Sequence, residues 1–249
     1  MEPQVQNPTA PWIVPAAIVV GFGLIALAIY FSSAGRTPKT VEINTPANTA
    51  QKKTIRPVDQ TDYIKGNPQA PILIVEYSDY ECPYCKNFHE VMRRIMEEYG
   101  TNGKVAWVYR QFPISDLHPN SSRLSLSALC VGELGGNDAF WKFTDSIFQE
   151  RGLQEPTNPT RVPEFAENAG VSRADLTSCL NSGRHEETLK ASLTDGANMG
   201  INGTPHSFVI VGNQIAPIAG AQSYDIMKQT LDSLLSMFEV PGTAPSTPN

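Results

Sequence analysis

The stretch Cys82-Pro83-Tyr84-Cys85 places two cysteines one helical turn apart, between an apolar run and an amphipathic helical pattern. The preceding run, residues 71–77, is rich in β-branched side chains and predicts a strand. Pro83 suits the first turn of a helix, where a missing N–H costs nothing. A helix that begins there directs its free N–H groups and its positive dipole end at Cys82, which favours the thiolate. The stretch therefore predicts a redox dithiol with Cys82 as the nucleophile.

A zinc site is the alternative interpretation of a cysteine pair at this spacing. A structural zinc ion takes further ligands that are also closely spaced. The other two cysteines, Cys130 and Cys179, are isolated in the sequence. The spacing therefore favours the redox interpretation.

Length, charge and cysteine content limit the possible classes of protein. The 249 residues suffice for one sizeable domain with terminal extensions, and the net charge is −6. The chain has no basic cluster beyond Lys52-Lys53 and no glycine-rich phosphate loop, so we expect no nucleic acid as a partner. An even number of cysteines that includes a close pair is typical of compartments where disulfides persist. The composition thus indicates a domain that works outside the cytosol.

Residues 12–31 form an uncharged apolar segment of the length that crosses a bilayer. We predict an N-terminal tail at 1–10 and, at 11–31, a transmembrane anchor or uncleaved signal. A cleavable signal is the alternative, because residues 32–34 are small. However, residues 1–10 lack the lysine or arginine that such a signal carries. The sequence therefore favours a retained anchor.

The charges that flank this segment disagree with a location of the following domain outside the cytosol. Arg36 and Lys39 follow the segment, and the positive-inside rule alone would place the next domain in the cytoplasm. Long domains cross membranes largely regardless of nearby charge, and the cysteine content favours an oxidising compartment. We therefore expect a single-pass protein of the cell membrane whose catalytic domain is extracytoplasmic, that is, periplasmic or extracellular.

Hydrophobic periodicity predicts a βαβ unit, a block of helices and a ββα unit. The predicted strands are 58–65, 71–77, 105–112, 207–211 and 214–218, and the predicted helices are 83–99, 120–134, 138–151, 163–169, 172–181, 184–199 and 223–238. This order predicts an α/β protein with a thioredoxin fold over 58–238, whose two halves are separated by an all-helical insertion at about 119–200. A flexible linker is predicted at 32–57 and a disordered tail at 239–249.

Four motifs carry a resemblance to a known family. They are Val75-Glu76-Tyr77-Ser78-Asp79-Tyr80-Glu81-Cys82-Pro83-Tyr84-Cys85, Arg110-Gln111-Phe112-Pro113, Phe140-Trp141 with Leu176-Thr177-Ser178-Cys179-Leu180, and Gly203-Thr204-Pro205 before a strand. With these motifs, residues 58–238 resemble the DsbA-like thioredoxin-fold thiol–disulfide oxidoreductases of the membrane-anchored, BdbD-like bacterial type.

The resemblance implies roles for individual residues. Cys82 corresponds to the surface nucleophile and Cys85 to the buried resolving thiol, with Pro83 and Tyr84 between them. Pro205 corresponds to a cis-proline that faces the dithiol, and Thr204 would offer backbone groups to an extended substrate. An ordinary trans-proline turn is the alternative at this position.

The acidic residues near the dithiol allow alternative interpretations. The resemblance places Glu76 beneath the dithiol, where a buried carboxylate would exchange a proton with Cys85. Strand alternation would equally allow Glu76 to face solvent. Asp79 and Glu81 bring negative charge close to Cys82, which would oppose thiolate formation. His89, one turn after Cys85, is expected to be a partly exposed side chain with a minor role.

The remaining cysteines lie on apolar faces of predicted helices in the insertion. Relatives of this kind carry a disulfide across the helical block, so the resemblance implies a structural bridge between Cys130 and Cys179. Closing a loop of about 50 residues would stabilise the fold by about 4 kcal/mol. Two free buried thiols are the alternative.

The expected function is an extracytoplasmic oxidoreductase that introduces disulfides into translocated proteins. The dithiol itself is the redox group, so no cofactor or metal is expected. The substrates would be reduced, unfolded or partly folded proteins, and the resemblance implies a membrane quinone-linked thiol oxidase as reoxidant. A reductase or isomerase is the alternative, although the linker at 32–57 is too short for a dimerisation domain and we expect a monomer. A non-redox chaperone is a further alternative.

Overall fold

A five-stranded mixed sheet is the centre of the computed structural model, which describes residues 54–238. The strands are β1 (Tyr63–Gly66), β2 (Ile72–Ser78), β3 (Val105–Gln111), β4 (His206–Val211) and β5 (Gln214–Ala219). Their order across the sheet is β1-β3-β2-β4-β5. Only the β2–β3 pair is parallel among them, and the other three pairs are antiparallel. A parallel pair requires a crossover connection, which a helix supplies here.

Helices cover the sheet and form the insertion between β3 and β4. They are α1 (Pro83–Ile95, extended by a π-helical turn at Met96–Gly100), α2 (Ser121–Glu150), a 3₁₀ turn (Pro159–Arg161), α3 (Val162–Asn168), α4 (Arg173–Ser182), α5 (Glu186–Asn198) and α6 (Tyr224–Ser236). The elements β1–β2–α1–β3, then α2 to α5, then β4–β5–α6 make a thioredoxin fold with a helical insertion. The predicted α/β fold is therefore confirmed for the described residues.

The helices of the insertion lie close to their predicted ranges. The predicted helices 120–134 and 138–151 are confirmed: the range of α2 holds two helical stretches that meet at Gly136, where the backbone is not helical. Gly136 has φ 81°, a conformation that side chains with a Cβ rarely adopt. The gap in the apolar pattern therefore marks the break between the two predicted helices. The predicted first strand is shorter than expected and pairs at the sheet edge with β3.

The two faces of β2 belong to different clusters of the core. Ile72 and Ile74 pack with α1, α2 and α6, whereas Val75 and Tyr77 pack with residues before β1 and around α5. Since successive side chains of a strand point to opposite faces, Glu76 lies on the same face as Ile72 and Ile74. This alternation places Glu76 under the helix that carries the cysteines.

Part of the predicted organisation lies outside the described residues. This holds for the tail at 1–10, the anchor at 11–31, most of the linker at 32–57 and the tail at 239–249. Within 54–238, no helix combines the length and the apolar character that crossing a bilayer requires.

Candidate active site

Cys82 is the N-cap residue of α1, and Pro83 occupies the first turn of that helix, as predicted. The backbone of Cys82 is extended, with φ −74° and ψ 124°, and its carbonyl accepts the first helical hydrogen bond, from Lys86 at 3.2 Å. The thiol therefore lies at the end of the helix where free N–H groups and the positive dipole end favour an anion.

The two cysteines are reduced in this structure and have very different environments. Burial raises the pKa of Cys85 well above its ordinary value. The hydrogen bond from Cys85, with smaller contributions from Thr204 and neighbouring backbone groups, lowers the pKa of Cys82 to about 6. Cys82 is thus the thiolate and Cys85 the thiol near neutral pH. The resemblance implied a nucleophile at the surface, but Cys82 is only 4% exposed, because the loop before β4 lies against it.

The loop before β4 carries Thr204 and Pro205 to the dithiol. Antiparallel pairing of β4 with β2 brings His206 opposite Tyr77, so the preceding loop meets the segment that leads to Cys82. The Thr204–Pro205 peptide bond is cis. In its protonated form, Cys82 donates a hydrogen bond to the carbonyl of Thr204, with 3.3 Å between sulfur and oxygen. Residues 122 positions apart in the chain therefore form one site.

Glu76 is fully buried beneath this site, so the alternative of a solvent-facing carboxylate is wrong. Its Oε2 accepts a hydrogen bond of 2.9 Å from the indole N–H of Trp107, and its Oε1 has no partner among the described residues. Burial raises the pKa of Glu76 to about 7. A carboxyl group with this pKa can hold or release a proton near neutral pH, and its charge also contributes to the raised pKa of Cys85.

The raised pKa of Glu76 makes the stability of the fold depend on pH. The folded state holds the Glu76 proton more tightly than the unfolded chain, so stability is lost as the pH rises from 4.5 to about 7. The free energy of unfolding of the wild type should fall by about 3 kcal/mol over this pH range. Glu76→Gln is neutral at every pH and should not show this decrease. Urea denaturation across this pH range measures the effect.

The matched control for this prediction is Glu90→Gln, because Glu90 is an exposed residue of α1. Its pH profile should coincide with that of the wild type. Parallel profiles for Glu76→Gln and the wild type would show that Glu76 titrates normally in the folded protein.

Asp79 and Glu81, the acidic neighbours of Cys82, are both buried and act as anchors for the surrounding loops. Asp79 lies within hydrogen-bond distance of the backbone N–H of Glu81 at 2.8 Å, that of Ile114 at 2.7 Å and Nδ1 of His118 at 2.8 Å. Glu81 accepts hydrogen bonds from the backbone N–H of Asn120 at 2.8 Å, the side-chain amide of Asn120 at 3.1 Å and the backbone N–H of Thr157 at 3.2 Å. These bonds attach the loops after β3 and after α2 to the segment before the nucleophile. That both carboxylates oppose the Cys82 thiolate stays a prediction.

His89 is buried, contrary to the expectation of a partly exposed helical side chain. Its ring lies between Trp107 and Phe148, with centroid distances of 5.1 and 4.6 Å, and its Nε2 is 2.7 Å from Oδ1 of Asp145. Burial lowers the pKa of His89, although Asp145 opposes the effect. The expectation failed because Asp145 and Phe148 belong to α2, and no local pattern around His89 indicates that α2 covers it.

A disulfide joins Cys130 of α2 to Cys179 of α4, with 5.9 Å between their Cα atoms. Both residues are 1% exposed, so the alternative of two free buried thiols does not describe this structure. Within the described part of the chain, possible metal ligands cluster only at Cys130, Cys179 and His185, where the two sulfurs are bonded to each other.

The described residues bring together a thiolate at a helix N-terminus, a buried second thiol and a buried acid beside a cis-proline loop. This arrangement is suited to thiol–disulfide exchange. The profile of the thioredoxin family matches residues 59–233, and the chain belongs to that family. A protein of Rickettsia felis with the provisional description protein-disulfide oxidoreductase is 29% identical over 208 residues, which are 79% of this chain and 71% of that protein.

Other relatives share only a domain with this chain. The Na⁺/H⁺ antiporter NhaA 3 of Salinispora tropica is 30% identical over 158 residues, which are 61% of this chain. The chain spans 22% of that antiporter and 25% of NhaA 1 of Mycolicibacterium gilvum.

Solved structures show that the fold is DsbA-like. Oxidised BdbD of Bacillus subtilis superimposes with a TM-score of 0.62 at 24% identity, over 73% of this chain and 97% of that chain. The α-DsbA1 protein of Wolbachia pipientis also gives a TM-score of 0.62, at 20% identity, over 73% of this chain and 94% of that chain.

Proposed function

We propose that this oxidoreductase works as an oxidase, which introduces disulfides into translocated proteins on the outer side of the membrane. The observation that supports this direction is the opposite shift of the two thiol pKa values, with Cys82 at about 6 and Cys85 well above its ordinary value. Stabilising one thiolate stabilises the reduced enzyme, which makes its disulfide a stronger oxidant.

The reaction transfers two electrons from the substrate to the enzyme. A substrate thiolate attacks Sγ of Cys82, the Cys82–Cys85 bond breaks, and Cys85 leaves with the electron pair. Because the Cys85 thiolate is strongly disfavoured by burial, it takes a proton, which Glu76 can donate at its pKa of about 7. A second thiolate of the same substrate then attacks the substrate sulfur that is bonded to Cys82. The substrate disulfide forms, and Cys82 leaves as the stabilised thiolate.

The surface around Cys82 is suited to a polypeptide substrate. Tyr84, inside the motif, is 65% exposed, and Leu117, in the loop that Asp79 anchors through His118, is 70% exposed. These apolar side chains offer contacts to unfolded chains, which expose apolar residues. We propose reduced, unfolded or partly folded proteins as substrates and a membrane quinone-linked thiol oxidase as the reoxidant.

The extracytoplasmic location is part of the proposal. It is supported by the disulfide between Cys130 and Cys179, because such bonds persist in oxidising compartments. The uncharged segment at 12–31, whose length suits a membrane anchor, supports it from the sequence.

One experiment tests direction and location together. The whole chain, expressed in a bacterium that lacks its own extracytoplasmic dithiol oxidase, should restore disulfides in a secreted reporter protein. The double variant Cys82→Ser/Cys85→Ser, expressed to the same level, is the control and should restore none.

The reduction potential of the purified protein separates the oxidase from the reductase. We expect the Cys82–Cys85 couple to lie above about −200 mV, between thioredoxin near −270 mV and DsbA near −120 mV. A potential close to that of thioredoxin, together with a failure to restore disulfides, would identify a reductase and contradict the proposal.

A further inference from the structure

Arg151, the residue that follows α2, is a buried cation that lines the same cavity as Glu81, the residue before Cys82. It is 5% exposed, and its Nε and Nη1 are buried without a partner among the described residues. Its Nη2 makes one long hydrogen bond, of 3.4 Å, to the carbonyl of Glu155. A guanidinium group that loses its water without full replacement is costly. Nearby negative charge would offset the free-energy cost of burying this guanidinium group.

The surroundings of Arg151 supply that negative charge. Arg151 and Glu81 line the same cavity, and Glu81 is the chain neighbour of the nucleophile. The groups that attract the guanidinium are, in decreasing order, Glu81, Cys82, Asp79 and Cys85. Burial nevertheless lowers the pKa of Arg151, so these attractions compensate only part of the lost hydration.

The other charged groups around Cys82 include some that disfavour its thiolate and some that favour it. Glu76 lies beneath it, and Asp79 and Glu81 precede it, so three carboxyl groups share the site with the thiolate. Lys86, one turn into α1, donates its ammonium group to the carbonyl of Phe148. His118 is held by Asp79. In contrast, Nε and Nη1 of Arg151 have no hydrogen-bond partner among the described residues.

We propose that Arg151 is a positioning residue that stabilises the Cys82 thiolate by balancing the buried charges of Asp79 and Glu81. The inference deepens the proposed function, because thiolate stability sets how strongly the disulfide oxidises. It explains how two carboxylates can stand beside a nucleophile without suppressing its ionisation. It also assigns a purpose to a buried guanidinium that packing alone does not explain.

The test compares Arg151→Met and Arg151→Gln with the wild type, in the reduced protein. Removing an opposite charge near a thiolate should raise the pKa of Cys82 by about one unit. The pKa is read from the ultraviolet absorbance of the thiolate against pH and, independently, from the pH dependence of alkylation. The equilibrium constant with glutathione should shift about tenfold towards a weaker oxidant, which is about 30 mV for a two-electron couple.

Two further variants serve as controls. Arg161→Met removes an arginine that is exposed and paired with Glu150 and Glu164, and it should leave the pKa of Cys82 unchanged. Arg151→Lys keeps the charge and should recover most of the wild-type value. A structural role alone would change thermal stability without this pattern of pKa values.

Each outcome decides the question. Unchanged pKa values in the folded Met and Gln variants would overturn the proposal. Unfolding of both variants would also overturn it, because it would assign Arg151 to the architecture. The oxidase proposal stands or falls separately: a reductase could still show the pKa shift, and an oxidase could lack it.

Discussion

Cys82→Ser should reduce the oxidation of a reduced test protein to below about 1% of the wild-type rate, because exchange requires a sulfur at this position to form the mixed disulfide. The expected loss is large because no other described cysteine can replace Cys82: Cys85 is fully buried, and Cys130 and Cys179 are bonded to each other. The measurement is the appearance of the native disulfide in the test protein, followed by thiol titration.

Cys85→Ser is the informative partner of this variant. It keeps the reactive Cys82, whose thiolate can attack a disulfide of an oxidised test protein and release one of that protein's sulfurs as a thiolate. Because Cys85 is absent, nothing within the enzyme resolves this mixed disulfide, so the covalent complex should accumulate on non-reducing gels. Cys82→Ser should show no such complex. Undiminished oxidation by Cys82→Ser would disprove the assignment of the nucleophile.

Removing the bridge in the insertion should have the largest effect on stability. Cys130→Ala/Cys179→Ala opens a loop that spans 49 positions, which lowers the free energy of unfolding by about 4 kcal/mol in the chain-entropy model. Denaturation in urea, with the Cys82–Cys85 pair in the same redox state in both proteins, measures the loss.

A reducing agent provides the control for this prediction. Reduction of the Cys130–Cys179 bond should lower the free energy of unfolding of the wild type by a similar amount. The double variant lacks this bond, so it should lose no such contribution. The folded double variant should keep its exchange activity, because the bridge joins α2 to α4 and the dithiol lies on α1. A double variant as stable as the wild type would show that the bridge is dispensable for the fold.

The parts of the site that follow local rules could be predicted from the sequence. Pro83 in a first turn and the cysteines around it specify a helix N-terminus by themselves. The apolar runs of β2 and β3 follow from β-branched composition. The proximity of Thr204-Pro205 to the dithiol required the family resemblance, because the chain separation of 122 residues carries no local signal.

The parts that depend on long-range contacts could not be predicted. Strand alternation alone left Glu76 ambiguous, and only the helices packed on that face of the sheet make it buried. His89 and Asp145 are 56 residues apart and meet because α2 crosses α1. Arg151 ends a helix in an unremarkable segment, and its position near Cys82 becomes apparent only when the insertion is folded.

The bridge in the insertion has a consequence for how the protein matures. A newly made chain carries four thiols, and two of them must be oxidised before the insertion reaches its final stability. The Cys130–Cys179 bond is therefore the product of the same chemistry that Cys82 is proposed to perform on other proteins. Until that oxidation has occurred, the chain lacks the stability that the bridge contributes.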